Sequence, residues 1–220
     1  MRDATDVTGC RQPSRFLRLW RQSPIADTAP EPEAVHAELV TRYSEPHRHY
    51  HNCAHIDHCL EQLDLAGTRV VEPTIVEMAL WFHDVIYDPR ATDNERQSAE
   101  LFWRRIGRHA DADFSRSVHD AIMVTTHRVY PRSLAEKFVV DVDLSSFGLS
   151  PDGFDRNGRD VRAEYAHVPD AIFYLAHRRI LETLLARPTV FFTEFFRARY
   201  EAAARANIQR RLAQISGQGY

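Results

Sequence analysis

Lysine is almost missing from this chain. Lys137 stands alone, and every other basic side chain is an arginine. Lysine and arginine together number 28 against 31 acids, leaving a net charge of −3. Without a cationic excess there is no bulk attraction to a nucleic-acid polymer or an anionic membrane surface. Long apolar runs are lacking too, and none approaches the roughly 18 residues a membrane span requires. The first residues carry Arg2, Asp3 and Asp6 with no apolar stretch, so no signal peptide and a cytoplasmic location are expected. Cysteine is scarce: Cys10, Cys53 and Cys59 do not make a disulfide framework in 220 residues. No CxxC pair accompanies them, which weighs against a zinc finger built from Cys53, Cys59 and two histidines. Period-two alternation is nearly absent, and so are internal repeats, linkers and low-complexity tracts.

What is present is helical periodicity. Ile56, Cys59, Leu60 and Leu63 recur at helical spacing, and Gly67 ends that run. Glu31-Pro32-Glu33 and Glu72-Pro73-Thr74 open helices in the expected way, with proline in the first turn. Further helices are expected near 94–108, 113–127, 133–147, 152–167, 169–186 and 193–215, with a short one around Phe16 to Trp20. Val139-Val140 could begin a strand, but the flanking pattern favours helix. The expectation is an all-α chain of eight to ten helices, a single domain over 1–220 with a flexible stretch at 1–13.

Twelve histidines are many for this length, and five fall between His47 and His58. His51 and His55 are four apart and share a face if both are helical; His55 and His58 are three apart. A solvated histidine-rich face is the plain reading. The other reading pairs one of them with His83-Asp84, which follow the apolar run Met78-Ala79-Leu80-Trp81-Phe82. Burying that pair is costly unless the two groups satisfy each other or share a cation. A fourth ligand would come from Asp141-Val142-Asp143-Leu144, two acids in an otherwise apolar helix. Asp143 is expected to point inward beside Val139 and Val140, and Asp141 to meet Lys137 one turn back.

The order His…His-Asp…Asp, with Arg48-His49-Tyr50-His51, Trp81 to Asp88, Asp93-Asn94-Glu95 and Ser98-Ala99, resembles the HD superfamily of metal-dependent phosphohydrolases. Arg162-Ala163-Glu164-Tyr165 and Ala204-Arg205-Ala206-Asn207 extend the likeness, which spans roughly Val35 to Asn207. It implies an HD-type helical bundle with its metal-site core at about 35–150. It also implies one divalent ion (Mn, Fe, Co, Ni, Zn or Mg) on His55, His83, Asp84 and Asp143. Asp84 would both touch the metal and orient the attacking water, while His51 would support the ligands or add one.

The implied reaction is hydrolysis of a small phosphorylated compound, such as a nucleotide, through a metal-activated water. Arg48 is the first candidate for the substrate phosphate because guanidinium matches it in a bidentate way. Lys137 and Arg162 follow, each equally suited to a surface or ion-pair role. His127 lines the pocket or sits satisfied in the core. Glu95 is a proton shuttle or a helix N-terminal acid, and Asp88 with Tyr87 shapes the pocket mouth. A non-catalytic metal- or nucleotide-binding module is the alternative. A di-iron site would need further ligands, with His51 and His127 as the spares. Phe191-Phe192-Thr193-Glu194-Phe195-Phe196 packs in the core or forms a homodimer face.

Overall fold

The computed structural model describes residues 9–219; the absence of a signal peptide and most of the flexible stretch concern residues outside the described ones. Among the described residues the chain is all-α. Its ten helices are α1 (Pro13–Gln22), α2 (Pro32–Tyr43), α3 (Cys53–Ala66), α4 (Pro73–Phe82), α5 (Asn94–Arg105), α6 (Ala112–Met123), α7 (Leu134–Leu144), α8 (Pro151–Glu164), α9 (Asp170–Ala186) and α10 (Glu194–Gly217). The sole extended pairing among these residues is an isolated antiparallel bridge between Ile25 and Ala110. No helix is long and apolar enough to cross a membrane.

Local chemistry explains most boundaries. Proline stands in the first turn of α1, α2, α4 and α8, where its missing N–H costs nothing. Asn52 caps α3 by accepting from the Ala54 N–H, and Gly67 ends that helix at φ 56, a conformation that favours glycine. The helix expected at 113–127 is shorter than its periodicity suggests. Val124, Thr125 and Thr126 are β-branched, and both threonine hydroxyls donate to carbonyls three residues back, at 2.7 and 3.0 Å. That run tightens into a 3₁₀ turn, Val124–Thr126, after which His127 adopts φ 55.

The chain divides into two compact units between Val139 and Val140, a division inside α7. In the first, α4 is the central rod. Every residue from Ile75 to Phe82 except Glu77 is buried, the signature of a helix covered on all sides. Helices α1, α3, α5 and α6 pack around it. Buried Arg15 ties three of them together, donating to Asp64 of α3 at 2.7 and 2.9 Å and to Glu77 of α4 at 2.8 and 3.2 Å. Each large apolar side chain buried along α4 contributes about 1.5–3 kcal/mol.

In the second unit α10 packs against α9 and against the 3₁₀ turn Ser145–Gly148. A side chain at Gly148 would meet Tyr200 at 2.6 Å, so only glycine fits there. Buried Asn207 donates to the carbonyls of Phe147 and Leu149, each at 2.9 Å. Phe191 and Phe196 are fully buried and stack on one another, so the aromatic run contributes to the core.

Candidate metal centre

The centre of the first unit forms where α3 passes the C-terminal end of α4. His55 and Cys59 lie one turn apart on the inward face of α3. His83 follows directly on α4, its N–H still bonded to the Ala79 carbonyl at 2.9 Å. His55, Cys59 and His83 are buried, and the Asp84 side chain is 15% exposed. His55 Nε2 and His83 Nε2 stand 3.2 Å apart. Asp84 Oδ2 is 3.0 Å from His83 Nε2 and 3.5 Å from His55 Nε2. Cys59 Sγ lies 3.7 Å from His55 Nε2. His55, Cys59 and His83 form a group able to hold a metal ion.

The donor chemistry fits such an ion. His83 Nδ1 lies 2.9 Å from the Leu80 carbonyl. A carbonyl can only accept, so Nδ1 carries a proton and Nε2 is left to face the cluster, sharing a proton with Asp84 or offering a lone pair to a metal. A four-coordinate ion with bonds of about 2.0–2.3 Å holds its ligand atoms about 3.2–3.7 Å apart. The separations from His55 Nε2 to His83 Nε2, Asp84 Oδ2 and Cys59 Sγ fall in that range, and Asp84 Oδ2 stands slightly closer to His83 Nε2. Burial works against charge on Asp84, but His83, His51 and His55 beside it, with a hydrogen bond from His83, hold the carboxyl below the ordinary range.

The turn that carries Asp84 is held from two sides. Arg48, with its side chain fully buried, donates to the carbonyls of Asp84 (2.6 Å), Val85 (2.9 Å) and His51 (3.1 Å), and to Glu45 (2.9 Å). Tyr43 donates to the Trp81 carbonyl at 3.0 Å, and His47 Nε2 meets the Tyr87 carbonyl at 2.9 Å. From α5, Ser98 accepts from the Ile86 N–H at 3.0 Å. Asn94 bonds both the N–H and the carbonyl of Asp88, at 3.1 and 3.0 Å. Side chains thus fix the backbone almost residue by residue from Trp81 to Asp88, which preorganises the ligands.

These contacts locate the remaining expected site residues. Arg48 supports the Asp84 turn from behind, with its guanidinium committed mainly to backbone carbonyls. His51 stacks on Tyr87 at 4.1 Å and lies 6.0 Å from His55, close enough to influence Asp84. Asp88 is exposed and accepts from the Arg90 N–H within its turn. Glu95 is half-buried in the first turn of α5. His127 follows the 3₁₀ turn after α6, and Lys137 is half-buried on α7. In the second unit Arg162 donates to the Tyr165 and Val168 carbonyls and to Asp170, bracing the α8–α9 corner.

The acids of α7 differ from expectation in burial. Asp141 is fully buried and accepts from the Phe192 N–H, the Thr193 N–H and the Thr193 hydroxyl, each at 2.7 Å. Burial pushes its carboxyl up to about 6 against those hydrogen bonds and Arg197, which favour the charge. Asp143 is half-buried. Residues 138–142 are all buried, so apolar neighbours in sequence do not mark which acid faces inward.

Cys59 is the residue that the histidine and acid pattern did not single out. Its signal was the i,i+4 spacing from His55, the same spacing that linked His51 to His55. Comparison with protein-family models, with curated proteins and with solved structures finds no match to this chain.

Proposed function

We propose that the protein is a metal-dependent phosphohydrolase of HD type, acting on a small phosphorylated compound such as a nucleotide. The observation that carries this reading is the buried cluster of His55, Cys59 and His83, with Asp84 Oδ2 at 3.0 and 3.5 Å from the two imidazoles. His55 and His83 would hold one divalent ion, with Cys59 or Asp84 completing its protein ligands. A thiolate among the donors favours Zn, Fe or Co over Mg. The ion, when bound, supplies Lewis acidity that brings water toward ionisation at neutral pH and offsets charge on the phosphoryl group. The motif order shared with the HD superfamily supports a phosphate ester as the substrate class, and Asp143 enters the ligand set on that resemblance alone.

The chain's own residues divide the remaining work. Leu80 takes the Nδ1 proton of His83, so that Nε2 is the atom facing the site. Asp84 meets the imidazoles through Oδ2 and orients the attacking water through its other carboxylate oxygen. Arg48 keeps Asp84 in position by gripping its carbonyl. Glu95 is the candidate proton carrier for the leaving group. A cytoplasmic setting accompanies this reading, because free thiols persist in reducing compartments.

The test is direct. Full-length protein reconstituted with each candidate metal is assayed against a broad panel of phosphomonoesters and phosphodiesters, with metal content measured in parallel. One bound ion per chain and turnover of at least one ester class are expected; stoichiometric metal with no hydrolysis across the panel would end the enzymatic reading. A second reading, a non-catalytic metal- or nucleotide-binding module, draws support from Arg48. The guanidinium best suited to a substrate phosphate is engaged with carbonyl oxygens instead. Calorimetric binding of a nucleotide without product formation would favour that alternative.

A further inference from the structure

We propose that Cys10 and Cys53 are a redox pair, a thiol modification site that closes to a reversible disulfide on exposure to a peroxide. The two residues are 43 apart in sequence, yet the Cys10 thiol donates to Cys53 Sγ at 3.0 Å. A disulfide needs about 2.0 Å between the sulfurs, so only a small further approach is required. The segment carrying Cys10 is anchored for that approach. Its backbone N–H donates to the Asp57 carboxylate of α3, and its carbonyl meets His36 Nε2 of α2 at 2.8 Å.

Access distinguishes the two sulfurs. Cys10 is fully enclosed, whereas Cys53 lines a cavity of about 480 Å³ whose wall also includes Arg11, Ser44, Asn52 and Asp57. A small oxidant can therefore meet Cys53 from the cavity while Cys10 waits behind it. The wall carries Arg11 against the acids Glu45 and Asp57, so it is access to the sulfur, not net charge, that sets Cys53 apart from Cys10. The third thiol, Cys59, is fully buried beside His55 and belongs to the metal cluster.

The chemistry balances with hydrogen peroxide as oxidant. Cys53 attacks one peroxide oxygen, forming a sulfenic acid and releasing one water. The Cys10 sulfur then attacks the sulfenic sulfur, forming the S–S bond. The sulfenic oxygen leaves as a second water carrying the Cys10 proton. Two thiols are oxidised and one peroxide is reduced to two waters. The new bond would staple the chain around Cys10 to the first turn of α3, two residues ahead of His55.

The experiment uses the reduced full-length chain, treated with hydrogen peroxide, denatured, alkylated and weighed intact. Three alkylatable thiols before treatment and one afterwards are expected, with a mass lower by two hydrogens and a crosslinked peptide joining Cys10 to Cys53. Dithiothreitol should restore all three. Cys53→Ser should keep both remaining thiols at the same dose, and Cys10→Ser should over-oxidise at Cys53 without crosslinking. A link through Cys59, an intermolecular link, or three intact thiols in the treated wild type would overturn the proposal. The wild-type result stands whether or not either variant folds.

Discussion

Asp84 and Asp141 are both interior aspartates, one in each unit of the chain, and their surroundings are of opposite kinds. Asp141 receives three donors that are fixed by the chain itself: two backbone N–H groups and a hydroxyl. Its hydrogen bonding is complete, and its purpose is to hold the 192–193 backbone to α7. Asp84 is surrounded by imidazole nitrogens, and Leu80 takes the Nδ1 proton of His83 so that Nε2 is the atom facing the carboxylate. Acceptors facing acceptors are stable only with a proton or a cation between them. The lesson is that depth does not separate a structural acid from a chemical one. The polarity of the partners does.

Four substitutions test this contrast, in descending order of effect. Asp84→Ala should reduce bound metal from one ion per chain to background and hydrolysis by about 10³-fold or more, with the helical circular dichroism retained. Full metal occupancy in that variant, or a wild type that retains no divalent ion after dialysis, would erase the distinction between the two acids.

Asp141→Ala should act on stability instead, costing about 2–4 kcal/mol in urea unfolding because buried donors lose their acceptor. Metal content per folded chain should not change. The effect depends on pH in a definite direction. The folded Asp141 carboxyl titrates near 6, above its ordinary 3.8. Its stabilising contribution is therefore complete below 3.8 and declines as pH rises through 6. The gap between wild type and variant should narrow across that window, by up to about 3 kcal/mol. A gap that widens with pH would mean that the ionised form is the one the fold prefers.

Arg48→Lys tests the frame around Asp84. Lysine cannot grip three carbonyls and a carboxylate at once, so metal affinity should fall about 10–100-fold in a competitive chelator titration. Unchanged affinity would show that the turn stands without its clamp. Cys59→Ser should have the smallest effect, about tenfold weaker zinc binding with manganese binding little altered. Loss of the thiolate-to-metal charge-transfer band in the cobalt-substituted variant would identify the sulfur as a ligand; its persistence would remove Cys59 from the set.

Much of this molecule was legible in its sequence. The all-α class and the helix positions followed from periodicity, and prolines, Asn52 and Gly67 marked ends through local backbone chemistry. The convergence of His55 with His83 was legible because both sit among residues that must be buried. Cys59 showed only in its i,i+4 spacing from His55, since a buried thiol otherwise behaves in sequence like any small apolar residue. The role of Arg48 was not legible, its partners being carbonyls 36 and 37 residues away. The partners of Asp141 lie 51 and 52 residues away, beyond the reach of any helical spacing rule. Asn94 and Ser98, noticed as motif residues, turn out to secure the backbone of the Asp84 turn rather than to face a ligand.

The aromatic surroundings of Trp81 give the chain a built-in optical gauge. Its indole is fully buried, with Phe16 and His36 edge-on at 5.4 and 5.8 Å, and its N–H meets no acceptor among the described residues. Trp103 is exposed and Trp20 half-buried, so Trp81 alone emits from an apolar, unrelaxing cage. Burial lowers the tendency of His36 to protonate, which keeps that ring from quenching the indole until the solution is well acidified. Blue emission from Trp81 therefore reads the packing of α4 two residues before His83, without any added label.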